Sequence, residues 1–246
     1  VKLDDLRYLA TELLGGEHAQ LVLVGDFDPE AVHQQVSKLF SGFVAKRPFV
    51  RMPRPFQKVQ PSNLTVQLPD RDSSVVAMLL PFPLSDCDPD YPALVLWQQI
   101  FGGTTTSRLN QRLRERDGLS YEVRSSLRIP SLDDNSHLAA IATSAPQNGK
   151  AALAAMSNEI KLMLDNGPTA AELAQVQAAY DKQLSAMIAD DDDLAMLLAR
   201  LATLGRDIHH LDDLRARVQR VTLPQLLSAA QRHLRSAPLL SALTHE

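Results

Sequence analysis

Two hydrophobic periodicities divide this chain. Four strand-length apolar runs, at residues 64–68, 75–80, 119–129 and 137–143, precede a stretch from residue 151 onward where apolar residues recur at helical spacing. Strands gathered ahead of helices predict an α+β fold, a two-layer sandwich in which a mainly antiparallel sheet carries helices on one face. Polar turns at 70–74 and 130–135 separate the runs. The run 119–129 alternates well, with Leu119, Tyr121, Val123 and Leu127 set against Glu122, Arg124 and Arg128.

Punctuation residues place the helices. Asp88-Pro89 predicts the start of a helix that reaches Phe101, Gly102-Gly103 breaks it, and residues 104–106 open a second helix ending near Gly118. Residues 151–164 read as a helix stopped by Asn166-Gly167. Thr169 with Glu172 forms a capping box for the next, which runs to about Ile188. The acidic run 190–193 reads as a solvated helix start, because carboxylates favour helix N-termini, and a helix over 194–204 follows. The last apolar run is 238–243.

The first forty or so residues carry a smaller pattern of their own. Leu3, Leu6, Leu9, Leu13 and Leu14 have helical spacing, and Gly15-Gly16 stops them. Residues 19–24 (AQLVLV) predict a buried strand. After the turn at Gly25-Asp26, Asp28-Pro29 supplies an N-cap and a first-turn proline for a helix over 29–40. Lys46, Arg47, Arg51, Arg54 and Lys58 then alternate with Pro48, Pro53 and Pro55, which reads as an extended linker with solvated charges. Val1-Lys-Leu3-Asp-Asp-Leu6 also resembles Val221-Thr-Leu223-Pro-Gln-Leu226, and each opens a helix leading into an apolar run. On that repeat, residues 1–41 are the tail of a preceding homologous αβ unit whose front is missing, 42–60 the basic proline-containing linker, and 61–246 the C-terminal αβ domain. A first residue Val rather than Met agrees with an excised piece.

Composition narrows the functional classes. With 246 residues, 45% hydrophobic, the chain can build one large core or two small ones. A net charge of −4 gives no electrostatic reason to expect nucleic acid. One cysteine, Cys87, excludes an intrachain disulfide framework and leaves the compartment open. No apolar run approaches the roughly 18–20 residues of a membrane span.

Reaction motifs are missing. A catalytic zinc needs about three protein ligands on a rigid scaffold. None of His18, His33, His137, His209, His210, His233 and His245 lies in H-E-x-x-H or H-x-x-E-H. Adjacent His209 and His210 would diverge by about 100 degrees on a helix. There is no G-x-S-x-G elbow and no phosphate-binding glycine pattern. Cys87 sits between Asp86 and Asp88, which disfavours a thiolate. No metal ligand is assigned.

One ordered series of segments changes the reading. Asp88-Pro-Asp-Tyr-Pro-Ala-Leu94, Phe101-Gly-Gly103, Ser107-Arg-Leu109, Leu113-Arg114-Glu115 and Gly118-Leu119-Ser-Tyr121-Glu-Val123 follow one another. They resemble the C-terminal, non-metal-binding half of the pitrilysin/insulinase (inverzincin) zinc peptidases, a family that includes insulin-degrading enzyme and the mitochondrial processing peptidase. Leu21-Val-Leu-Val-Gly25-Asp26-Phe-Asp-Pro29 and Gly167-Pro-Thr169-Ala-Ala-Glu172-Leu173 fit the same family, so the likeness covers nearly the whole chain.

The resemblance implies two homologous halves closing over an unfolded peptide, with H-x-x-E-H on the N-terminal half. It implies that the C-terminal half lends an Arg and a Tyr seven residues apart to the reaction, which here are Arg114 and Tyr121. Guanidinium and phenol donors suit the charge that builds on a peptide carbonyl under attack. Without the resemblance, Tyr121 reads as packed on a sheet and Arg114 as a solvated helix residue. Gly102 and Gly103 would lie near the cleft, where backbone approaches substrate.

This chain departs from the family in lacking H-x-x-E-H. Zinc is therefore expected on a missing N-terminal half or on a homologous partner subunit, with no cofactor in this chain and no cleavage by it alone. The alternative is a non-catalytic peptide-binding or assembly subunit. Neither reading calls for nucleic acid or a membrane span; a homodimer and a bacterial periplasmic location are compatible with the family.

Overall fold

A computed structural model describes residues 1–68 and 71–245. The turn expected at 70–74 therefore lies partly outside the described residues. In chain order the elements are α1 (Leu3–Tyr8), α2 (Pro29–Leu39), β1 (Ser62–Gln67), β2 (Ser74–Pro83), α3 (Tyr91–Gln98), α4 (Arg108–Asn110), β3 (Glu122–Arg128), β4 (Asn135–Ser144), α5 (Gly149–Asn166), α6 (Ala170–Ala189), α7 (Asp191–Thr203), α8 (His209–Gln219), α9 (Leu223–Leu234) and β5 (Leu240–His245). Helices α1, α3 and α4 run on as wider π-wound turns at Leu9–Leu13, Gln99–Gly103 and Gln111–Arg116. Two compact units form: Val1–Met52 with Lys182–Asp212, and Pro53–Asp181 with Asp213–Glu246.

The larger unit holds a five-stranded sheet in the order β1-β5-β2-β4-β3. Strands β2 and β4 pair antiparallel from Ser74↔Ser144 to Pro83↔Asn135, and β3 and β5 also run antiparallel to their neighbours β4 and β2. Among the described strands, β1 and β5 are the one parallel pair. Period-two alternation sends Val76, Met78, Leu80 and Phe82 of β2 to one face, where they are buried with Leu138, Ala140 and Ala142 of β4. Leu94, Leu96 and Trp97 of α3, Met156 and Met163 of α5, and Leu226 and Ala230 of α9 join the same core. Each large side chain buried there contributes about 1.5–3 kcal/mol. The fold is the one-sided helix-on-sheet sandwich expected from the order of the elements.

The β3 edge is partly occupied by side-chain amides. Gln98 Nε2 donates to the Ser125 carbonyl and Asn110 Nδ2 to the Val123 carbonyl, at 3.0 and 3.2 Å. Amides placed there leave fewer free acceptors for another chain.

Several boundaries differ from the sequence expectation. Helix α3 starts at Tyr91, because the Asp88 carboxylate accepts from Asp90 N at 2.8 Å in a tight turn and does not cap the helix itself. The next helix starts after Ser107, not within 104–106. Strand β3 starts at Glu122, because the backbone of residues 119–121 is held by the Leu113 and Thr143 carbonyls.

The smaller unit contains α1, α2, α7 and parts of α6 and α8. Asp28 caps α2 as expected, accepting from Glu30 N at 2.9 Å and Ala31 N at 3.3 Å. Asp190 caps α7 through Asp193 N. The apolar run 19–24, however, is not a strand. No described segment offers it a ladder, and a strand exists only where a neighbour takes its backbone groups. No residue of 1–52 is buried, and the leucine stripe of α1 and its π turn is exposed, Leu3 by 61%.

Candidate functional site

Arg114 and Tyr121 leave the backbone from the two ends of one closed turn in the larger unit. Leu113, fully buried, anchors the π-wound segment Gln111–Arg116 in the core. Its carbonyl accepts from Leu119 N at 2.7 Å and from Ser120 N at 3.2 Å, so residue 113 is brought back beside residue 120. Gly118 has φ +59°, a left-handed conformation that glycine adopts freely, and this permits the reversal. Asp117, whose carboxyl is held below the usual range by hydrogen bonds from Arg112 and Arg116, ties down the turn.

Ser120 secures the far end. It is buried, and its Oγ lies 2.8 Å from Glu122 O and 2.5 Å from Thr143 O. Tyr121 N donates to Thr143 O at 3.2 Å. Tyr121 is 61% exposed, so it does not pack into the sheet's core. Alternation stops short of it because β3 begins one residue later. Arg114 is also exposed and makes no ion pair among the described residues, whereas Arg112 and Arg116 on the same turn both reach Asp117. Both donors are thus presented outward on an anchored backbone.

Gly102 and Gly103 occupy different environments. Gly102 is buried, and a Cβ there would meet Ser125 Cβ and Oγ at 2.8 Å and Leu109 Cδ1 at 3.0 Å. Close passage of the π turn over β3 accounts for that glycine within the chain. Gly103 is exposed, and its space is bounded by the ends of the flexible Gln98 and Gln99 side chains.

Behind the turn, Arg108 and Glu172 form a two-pronged ion pair, and Arg108 Nη2 also donates to Gly167 O. The Arg108 guanidinium is the main reason that Glu172 falls to about 2, and Glu172 in turn raises Arg108. Sequence reading found the capping box of Glu172 but not this pairing, which joins residues 64 apart.

Among the described residues, the one group of side chains close enough to share a cation is Asp88, Asp90 and His233, with ligand atoms within 4.8 Å of one another. It has no counterpart in sequence spacing. The Asp90 carboxylate already holds Arg232 and lies 2.9 Å from His233 Nε2. A guanidinium seated on the shared carboxylate makes this an ion-paired clasp between α9 and the start of α3, and it does not fit a catalytic zinc.

Fold and site together define a helix-backed sheet domain that presents hydrogen-bond donors without a zinc centre of its own among the described residues. A family model described as "Peptidase M16 inactive domain" matches residues 1–180, and the chain belongs to that family. It is 23% identical over 216 residues to the Bacillus subtilis protein described as "Probable inactive metalloprotease YmfF", covering 88% of this chain and 49% of that protein. The chain therefore spans about half the length of the curated relative it matches. A peptidase M16 inactive domain from Pseudomonas fluorescens has a similar fold, with a TM-score of 0.82 at 21% identity over 100% of this chain and 58% of that one. The periplasmic protease PqqL from Escherichia coli gives 0.72 at 14% identity, covering 90% of this chain and 24% of that one.

Proposed function

We propose that this chain is the C-terminal part of a zinc metalloendopeptidase, lending substrate-binding and charge-stabilising donors to a zinc site on another domain or on a homologous partner subunit. The observation that carries this reading is the pair Arg114 and Tyr121, both exposed at the two ends of one anchored turn of an M16 inactive domain. When a peptide carbonyl is attacked, its oxygen gains negative charge. A phenol O–H and a guanidinium N–H aimed at that oxygen, or at neighbouring carbonyls, favour the transition state over the ground state. Gly103, and the π turn that Gly102 lets lie close to β3, would border the same cleft.

Residues 1–41 are, in this reading, the tail of a preceding homologous unit, 42–60 the linker, and 61–246 the C-terminal domain. Two features support it. The first 52 residues have no buried side chain. The order of helix α1 followed by the apolar run 19–24 also parallels α9 and β5, which lies between two partner strands. The run 19–24 would occupy the equivalent slot in a neighbouring sheet. The partners implied are that catalytic half and an unfolded peptide, with a homodimer as one way of bringing two such chains together.

A second reading, a non-catalytic peptide-binding or assembly subunit, is favoured by the word "inactive" in the name of the B. subtilis relative. Zinc-dependent cleavage of a quenched fluorescent peptide library separates the two. It should be measured on this chain, on the full-length gene product and on an equimolar mixture with the N-terminal half. Activity in the full-length protein or the mixture but not in the chain alone supports the first reading. Peptide binding without cleavage in every sample supports the second, and cleavage by the chain alone refutes both.

A further inference from the structure

The sheet face opposite the helices carries a connected apolar band bordered by cations. Ala77 of β2 is in register with Ile141 of β4 and Ala242 of β5, and Leu79 with Ala139 and Leu240, all of them partly exposed. Along the β3 side of this floor, Arg124 stands opposite Ile141 and Arg128 opposite His137. Arg124 has Glu122 at 3.6 Å, but Arg128 makes no ion pair among the described residues. Directly opposed strand positions normally hold opposite charges or apolar pairs, and Arg128 has neither across from it. Burial first, and the Arg128 guanidinium second, hold His137 below the ordinary imidazole range.

We propose that this face binds extended peptide, with the Arg128–His137 pair receiving the carboxylate of an acidic side chain. An extended strand presents alternate side chains to one face. Apolar residues can therefore rest on Leu79 and Ile141 while a neighbouring Asp or Glu reaches the cationic border. Guanidinium and imidazole N–H groups are well matched to a carboxylate. This inference rests on the peptide-binding reading above and names its substrate class: peptides that combine apolar and acidic residues.

The test is fluorescence anisotropy of the 246-residue chain with labelled, C-terminally amidated peptides identical except for a central Glu, Gln or Lys. The Glu peptide should bind about 10-fold tighter than the Gln peptide. Arg128→Gln should abolish that preference with the thermal melt unchanged, and Arg128→Lys should restore part of it. Equal affinity for all three peptides overturns the inference and leaves peptide binding intact. Failure to bind any peptide removes this inference and the peptide-binding reading together.

Discussion

Arg108 and Glu172 meet through two hydrogen bonds, Nε to Oε1 at 2.6 Å and Nη2 to Oε2 at 2.8 Å. The same carboxylate accepts from Thr169 N at 2.7 Å, and Glu172 N donates to Thr169 Oγ1. One side chain thus closes the N-terminus of α6 and fastens it to α4, the short helix that continues into the turn carrying Arg114.

That arrangement sets a pH dependence. Glu172 titrates at about 2 when folded, below an unfolded glutamate near 4.3. A depressed acid contributes stability that is fully present above the unfolded value and is lost as pH falls through the folded one. Urea unfolding between pH 5 and 2 should show this loss, and Glu172→Gln should flatten it. At pH 7 the substitution should cost about 1–2 kcal/mol, since it weakens a charged hydrogen-bond pair that is partly exposed.

Gly102→Ala should destabilise the larger unit by about 1–3 kcal/mol, because the new methyl overlaps Ser125 and Leu109. Gly103→Ala should cost less, since only the ends of glutamine side chains must move. Ser125→Gly in the Gly102→Ala background should recover part of the loss. Chemical denaturation of the four proteins checks the order.

Tyr121→Phe in the full-length protein should lower kcat by about 100-fold while changing peptide affinity much less, as loss of a donor used in the transition state does. Arg114→Ala and Tyr121→Phe should both leave the melting temperature of this chain nearly unchanged, because both side chains are exposed. Equal losses in kcat and affinity would count against the catalytic role.

His137 should respond to its cross-strand neighbour. Replacing Arg128 with Gln removes a positive charge beside the imidazole, so its pKa should rise toward the ordinary value. An NMR titration of the ring protons reads the change, and the burial contribution should keep the value from recovering fully.

Signals that act within a few residues were legible in the sequence. The Asp28-Pro29 start of α2, the Thr169–Glu172 box and the stop at Gly167, which has φ +71°, all occur where composition placed them. The alternating and apolar runs of β2 and β4 became strands for the same reason. The run 19–24 shows the limit: its composition suits a strand, but a strand is a property of two segments, and no described segment pairs with it. Tyr121 shows another. Its phase with Val123 placed it on the packed face, yet two carbonyls hold the chain just before β3 and leave the ring outside.

The sequence by itself determined the α+β class, several helix ends, the family and the Arg114–Tyr121 spacing, because each depends on local periodicity, capping or an ordered set of motifs. Tertiary structure alone decided that β5 lies between β1 and β2, that Gly102 is needed for packing against Ser125, that Arg108 grips Glu172, and that Arg128 faces His137. Those facts join residues far apart in the chain. Such contacts are selected by the burial and hydrogen-bond satisfaction of the whole sheet, which no local window contains.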